Sequence, residues 1–204
     1  VIRMVIGRGW GQGPTHSQNL QMLFAGIPGL KVIMPATSQD AYSQLRASIN
    51  SEDPIIFLEH SWLHNSQSPV ERKFSIDDIT TSKLISNGND LTILANSYLI
   101  AEAIKASSIL EQDFGIKVEI VNYRCYGITD EIIINSVKKT GLIIIADTAQ
   151  ECFSIGHRLS NIINENCSNQ LREKPYLIAM PNIPEPTSQF LTKGLYIDYI
   201  DLIN

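Results

Sequence analysis

The sequence predicts an α/β protein built as two three-layer units with mostly parallel sheets, the first of them incomplete. Three observations predict it. Short aliphatic runs recur at 1–6, 30–34, 55–58, 91–95, 117–122, 142–146 and 176–179. Amphipathic or polar helical stretches alternate with them, as expected of parallel strands covered on both faces. Between these two series, residues 60–90 lose the rhythm and turn polar and irregular.

Each element has a local reason. Residues 1–6 form a β-branched run ending at Gly7. Thr15 and Gln18 have capping-box spacing, so a helix is expected over 16–25, closed by Gly26, with a turn at Pro28–Gly29. Pro35 stops the strand at 30–34. Thr37 or Ser38 caps the next helix, which places Asp40 in its first turn and runs to about Asn50. Asp53–Pro54 turns the chain into the strand at 55–58. A helix over 101–113 carries a stripe of Ile100, Ala103, Ile104, Ser107 and Leu110 and ends at Gly115. Thr129 is expected to cap a helix over 130–138. Further helices are expected at 156–166 and, at the end of the chain, at 197–203. The resulting division is 1–70 as a first unit, 71–90 as a linker and 91–204 as a second unit. Three strands and two helices are marginal for independent burial, so the first unit reads as the rear of a larger domain.

Composition narrows the function classes. A net charge of -5, with no basic stripe, argues against a nucleic-acid partner. No apolar run approaches the roughly 20 residues that span a bilayer. Cys125, Cys152 and Cys167 lack metal-ligand spacing, and their odd number suits a reducing compartment. The opening V-I-R-M-V-I-G is too short for a signal peptide and lacks an initiator Met. It is read as the interior of a longer sequence or a processed end.

The run G-R-G-W-G-Q-G-P-T-H-S-Q at 7–18 is the first candidate site. Gly7, Gly9, Gly11 and Gly13 permit close approach of a ligand or another backbone, and His16 stands where loop is expected to become helix. There, unpaired N–H groups and the helix dipole would favour a neutral imidazole. The run has neither G-x-G-x-x-G spacing nor a Gly-Lys-Ser/Thr ending, so it is not read as a nucleotide loop. Trp10 is a candidate contact to a partner chain. His60 and His64, four apart, read as surface or linker residues. Arg124 reads as one half of a structural ion pair, and Glu59 as a strand-end carboxylate.

The blocks G-R-G-W-G-Q-G-P-T-H-S-Q, I-P-G-L-K-V-I-M-P-A, T-S-Q-D-A and D-P-I-I-F-L-E-H resemble, in order, the pyrimidine-binding domain of transketolase-like thiamine diphosphate enzymes. The likeness is nearest to the β subunit of the 2-oxo-acid dehydrogenase first component of pyruvate, branched-chain and acetoin types. L-T-I-L-A-N-S, V-N-Y-R-C-Y-G-I-T-D, A-D-T-A-Q-E-C-F-S-I-G-H and P-N-I-P-E-P-T-S resemble that family's C-terminal domain more loosely. Asp147 keeps an acid, while the glycines usual after it are absent until Gly156; Ile128 and Asn182 replace a usual proline and aspartate.

The resemblance implies oxidative decarboxylation of a 2-oxo acid, with acyl transfer to lipoamide. It implies thiamine diphosphate with magnesium, held mostly by an α-type subunit, and a heterotetramer completed by a second β-type copy. It also implies a lipoyl-bearing acyltransferase partner and a cytoplasmic or mitochondrial-matrix setting. His16 becomes the catalytic candidate, and Gly11 and Gly13 the substrate-pocket loop. Ser48, Ser51 and Asp53 become a candidate potassium site at a helix-to-strand turn. The family's cofactor-activating glutamate is expected before Val1, so this chain alone is expected to be inactive. Two other readings stay open: a non-catalytic fragment or paralogue acting as an interaction module, and a sugar-phosphate enzyme of transketolase type.

Overall fold

A computed structural model describes residues 1–7, 13–126 and 130–204. Gly9, Trp10, Gly11, Ile128 and Thr129, singled out by sequence, lie outside the described residues. In chain order the elements are β1 (Ile2–Ile6), α1 (Gln21–Ala25), β2 (Lys31–Ile33), α2 (Ser38–Ile49) and β3 (Ile55–His60). There follow β4 (Lys83–Ser86), β5 (Leu91–Ala95), α3 (Leu99–Phe114), β6 (Val118–Asn122) and β7 (Cys125–Tyr126). The chain continues with α4 (Glu131–Thr140), β8 (Ile143–Gln150), α5 (Gly156–Cys167) and β9 (Tyr176–Met180).

Two sheets form, in the orders β1-β3-β2-β7 and β4-β6-β5-β8-β9. The pairs β1/β3, β2/β3, β5/β6, β5/β8 and β8/β9 are parallel. Only two described pairs are antiparallel: β4 on β6, and β7 on β2. The α/β class with mostly parallel sheets is therefore what the chain adopts.

Alternation along β5 sorts the core of the second sheet. Ile93 and Ala95 face α3, joining Leu99, Ala103, Ala106 and Leu110. Leu94 faces the other way, with Ile133 and Val137 of α4 and Leu159 and Ile163 of α5. The first sheet is sorted likewise. Ile33, Ile55 and Phe57 face Ala47 of α2, while Val32, Met34, Ile56 and Leu58 join the cluster that contains Leu94 and Tyr123. One apolar core thus runs through both sheets, and each fully buried Leu or Ile in it contributes roughly 1.5–3 kcal/mol.

Several local expectations fail for tertiary reasons. The Thr15 capping box does not form: Thr15 ends a 3-10 turn, Gly13–Thr15, and α1 starts only at Gln21, with no side-chain cap at Leu20. Ser17, Asn19 and Gln21 are buried while His16 and Leu20 are exposed, which is the period of extended chain, not of helix. Asp130, not Thr129, is the described cap of α4, accepting the Ile133 N–H at 3.3 Å. Residues 71–90 are more than a linker: Ser75 caps a 3-10 turn, Ile76–Ile79, and β4 edges the second sheet. No helix forms at 197–203. Turns pinned by the Asp198 and Asp201 carboxylates occupy it, and Ile197 and Leu202 pack with α3. Thr37 does cap α2, accepting the Asp40 N–H at 3.0 Å. Among the described residues, no helix is long and apolar enough to cross a membrane.

Candidate functional site

Residues 13–21 cross from the first sheet to the second. Gly13 has φ +65, and a Cβ there would lie 2.6 Å from Thr187 Oγ1, so backbone conformation and space both demand glycine. The Ser17 N–H donates to the Gly13 carbonyl at 3.1 Å and closes a tight turn. His16 rides on this turn, exposed. It is not in the first turn of a helix, so the dipole argument for a neutral imidazole lapses. α1 starts five positions later and is itself only five residues long.

After His16 the chain dives inward. Asn19 Nδ2 lies 3.9 Å from Met180 Sδ. Gln21 Nε2 donates toward Thr148 Oγ1 at 2.9 Å, Tyr126 Oη at 3.1 Å and Asp147 Oδ1 at 3.2 Å. Asp147 is fully buried within β8, just past Ala146 where the regular pairing with β9 breaks, and has no cationic partner among the described residues. Its carboxylate accepts from the Tyr126 hydroxyl at 2.8 Å, the Ser154 hydroxyl at 2.8 Å and the Ile155 N–H at 3.1 Å. Burial first, and this carboxylate second, push the Tyr126 and Tyr123 phenols well above their ordinary pKa. Asp147 was legible only as a retained acid. Its partner Gln21 carried no signal, because nothing in a linear reading says which glutamine is buried.

His60 departs from the surface reading. It is 1% exposed, and a Cβ on Gly7 (φ +75) would lie 2.2 Å from its Nε2. The ring packs on Tyr98 and Trp62, with centroids 4.6 and 5.2 Å away. Its Nδ1 accepts the Trp62 N–H at 3.3 Å, while Nε2 has no partner among the described residues. Burial, reinforced by His64, pushes its pKa down to about 4. His64, four positions on, is exposed. Among the described residues, no three His, Cys, Asp or Glu side chains stand together as a metal cluster.

A groove of about 690 Å³ opens beside β1 and the ends of β2 and β3, where Arg3, Thr37, Ser38, Glu59, His60 and His64 line it. Glu59 is held by Arg3 through two contacts of 2.9 Å. A second groove, of about 750 Å³, includes Arg124, Asp78 and Lys83. His16 lines neither groove; it stands on the surface. Arg124 is the ion-pair residue it was read to be, bonding Asp78 at 2.9 Å and the buried Asp40 at 3.4 Å.

At the α2-to-β3 turn, Ser51 Oγ accepts the Asp53 N–H at 3.1 Å, and the Ser48 carbonyl accepts the Ser51 N–H at 3.2 Å. The Lys31 ammonium lies 2.6 Å from the Asp53 carboxylate and holds its pKa below the ordinary value. Ser48 is buried, with its hydroxyl unpaired among the described residues.

The fold defines a two-sheet α/β protein whose sheets are tied together through residues 13–21, Asp40 and Asp147. Family comparison is specific. Residues 81–198 match the transketolase C-terminal domain, and residues 1–65 match the transketolase pyrimidine-binding domain. The chain belongs to the transketolase family. It is 34% identical over 177 residues to the pyruvate dehydrogenase E1 component subunit beta of Acholeplasma laidlawii, covering 86% of this chain and 54% of that one. It is 30% identical to the acetoin:2,6-dichlorophenolindophenol oxidoreductase subunit beta of Cupriavidus necator, covering 97% and 58%. The 2-oxoisovalerate dehydrogenase subunit beta of Bacillus subtilis is 31% identical, covering 90% and 57%. The chain therefore spans little more than half the length of these relatives. In structure it is similar to a split-gene transketolase, an inactive β4 tetramer. The TM-score is 0.76 at 17% identity, covering 98% of this chain and 63% of that one, a likeness of fold alone.

Proposed function

We propose that this chain is part of the β subunit of a thiamine-diphosphate-dependent 2-oxo-acid dehydrogenase, and that residues 13–21 form one wall of a cleft completed by other chains. The names of the relatives support the reaction class. The observation that carries the reading is the exposed His16, set between a buried Gly13 that lies close against Thr187 and a Gln21 whose amide is held by buried hydrogen bonds. Side chains suited to face a ligand are present: the imidazole, and the buried Ser17 and Asn19, whose Oγ and Oδ1 have no partner among the described residues. Gly11 and Gly13 are proposed as the substrate-pocket loop, the side-chain face of Gly13 being closed by Thr187.

Thiamine diphosphate, when bound, supplies the electron sink for decarboxylation. This chain's part is to hold the aminopyrimidine side, exclude water, and place the His16 imidazole to hydrogen-bond the substrate carboxylate. Magnesium and the diphosphate are assigned to an α-type subunit, and a second β-type copy and a lipoyl-bearing acyltransferase complete the assembly. The compartment proposed is the cytoplasm, or the mitochondrial matrix in a eukaryote. Residues 1–70 and 91–204 are the two functional units of this wall, joined across 71–90.

Replacing His16 with Ala in the reconstituted enzyme is expected to lower turnover about a hundredfold, the scale of removing one preorganised hydrogen-bond group from a site. The melting temperature should not change, because the side chain is exposed. Unchanged turnover would refute the assignment. Ser48, Ser51 and Asp53 are proposed to bound a structural potassium site through turn carbonyls, with the Asp53 carboxylate already met by Lys31. Potassium should then raise the melting temperature more than sodium does, and equal effects of the two salts would remove the site.

A further inference from the structure

We infer that Gln21 and Asp147 are positioning residues for His16, so that the second sheet sets the geometry of a group borne by the first. The inference rests on reading His16 as the substrate-facing group. The His16 and Ser17 N–H groups bond the Gly13 carbonyl at 3.4 and 3.1 Å and close the turn, but residues 18–20 after it have no regular structure, so local bonds alone do not fix how the turn and its imidazole sit on the molecule. What fixes it comes from the second unit: Thr187 against Gly13, Met180 against Asn19, and the Asp147–Tyr126–Thr148 group around the Gln21 amide.

The chemistry of that group suits the task. Gln21 Nε2 lies 2.9–3.2 Å from one carboxylate oxygen and two hydroxyl oxygens, and its two N–H groups are shared among them in a fully buried setting. Buried hydrogen bonds to a charged acceptor are strong and directional. The Ser154 hydroxyl and the Ile155 N–H hold the far oxygen of Asp147, so the carboxylate cannot rotate away when Gln21 pulls on it. A misplacement on the order of 1 Å, from a change outside the chemistry, can cost about a hundredfold in rate.

The experiment uses the enzyme reconstituted with its partner chain. In a Gln21→Met variant, the Ser17 amide, bonded to the Gly13 carbonyl, should exchange with solvent at least about tenfold faster, while amides of β5 and β6 are unchanged. kcat should fall by about tenfold or more, with KM changing less. In a His16→Ala background, the same substitution should cost no further kcat, because a residue acting through His16 has nothing left to act on. Thr92→Val is the control. It disrupts a buried hydroxyl group with Ser136 and Thr140 inside the second unit, and should lower stability without moving Ser17 exchange or kcat. If Gln21→Met does not fold, Tyr126→Phe removes only one hydroxyl from the group, and the same readouts apply with smaller shifts. Wild-type exchange at Ser17, or a kcat loss that adds in full to that of His16→Ala, overturns the inference. If His16→Ala itself leaves turnover unchanged, the functional reading fails, and the exchange rates still decide whether Gln21 anchors the segment.

Discussion

Asp40 and Asp147 are both fully buried, and both tie the first sheet to the second, yet they do it by opposite means. Asp40, in the first turn of α2, meets charge: Arg124 Nη2 at 3.4 Å, with Lys83 at 4.0 Å and the Asn122 amide beside it. Among the described residues, Asp147 meets neutral donors only, from hydroxyl, amide and backbone groups. A charged tie is stiff as long as both partners are present and costly once one is gone. A neutral tie spreads its load over several short, directional bonds. The neutral tie lies beneath the segment that carries His16, where direction matters; the charged one joins α2 to the β6–β7 corner, where only attachment does.

The largest expected effect breaks the charged tie. Arg124→Met leaves the buried Asp40 with the Lys83 ammonium at 4.0 Å and the Asn122 amide in place of its guanidinium, and leaves Asp78 without its 2.9 Å partner. A loss of about 3–5 kcal/mol in urea unfolding is expected, most of it recovered when Asp40 is also made apolar. Equal losses in the single and double variants would show that packing, not charge, holds the corner.

A third buried polar group sharpens the contrast, because it has neither kind of tie on one side. His60 is held neutral, with a folded pKa of about 4 against about 6.5 in the unfolded chain. Its pKa is depressed on folding, so its full contribution is present above pH 6.5 and is lost as pH falls toward 4, where the unfolded chain takes up the proton first. The loss over that window amounts to about 3 kcal/mol at most. Urea unfolding of wild type and His60→Asn, at about pH 7 and about pH 4.5, should show this slope in the first and not in the second. The smallest effect concerns the orientation of Asp40. Thr37→Ala removes the cap of α2 and should cost about 1 kcal/mol by the same measurement.

β1, β2, β3, β5, β6, β8 and β9 were legible because each is a short aliphatic run, and the Thr37 cap because Asp40 follows it in the first turn; β4, with Lys83 and Ser86 at its ends, was hidden in the polar stretch 71–90. What was illegible shares one cause. The Thr15 box lost to contacts made by Thr187, Met180 and Asp147, which lie more than a hundred positions away along the chain. β7 is two residues long, too short to show a period, and exists because β2 offers it an edge. His60 sits in a polar stretch and is buried because Gly7, across the sheet, leaves room for its ring. Of the candidate site, His16 was legible and its support was not.

The pairing of Ile33 with Cys125 carries a consequence for synthesis and engineering. On the ribosome, β2 emerges long before the strand that covers it, and its free edge is open to other nascent chains until Tyr126 is made. Dividing the gene within 71–90 to express the halves separately would make that exposure permanent. Insoluble material from the front half, rescued by co-expressing the rear, is the outcome this topology dictates.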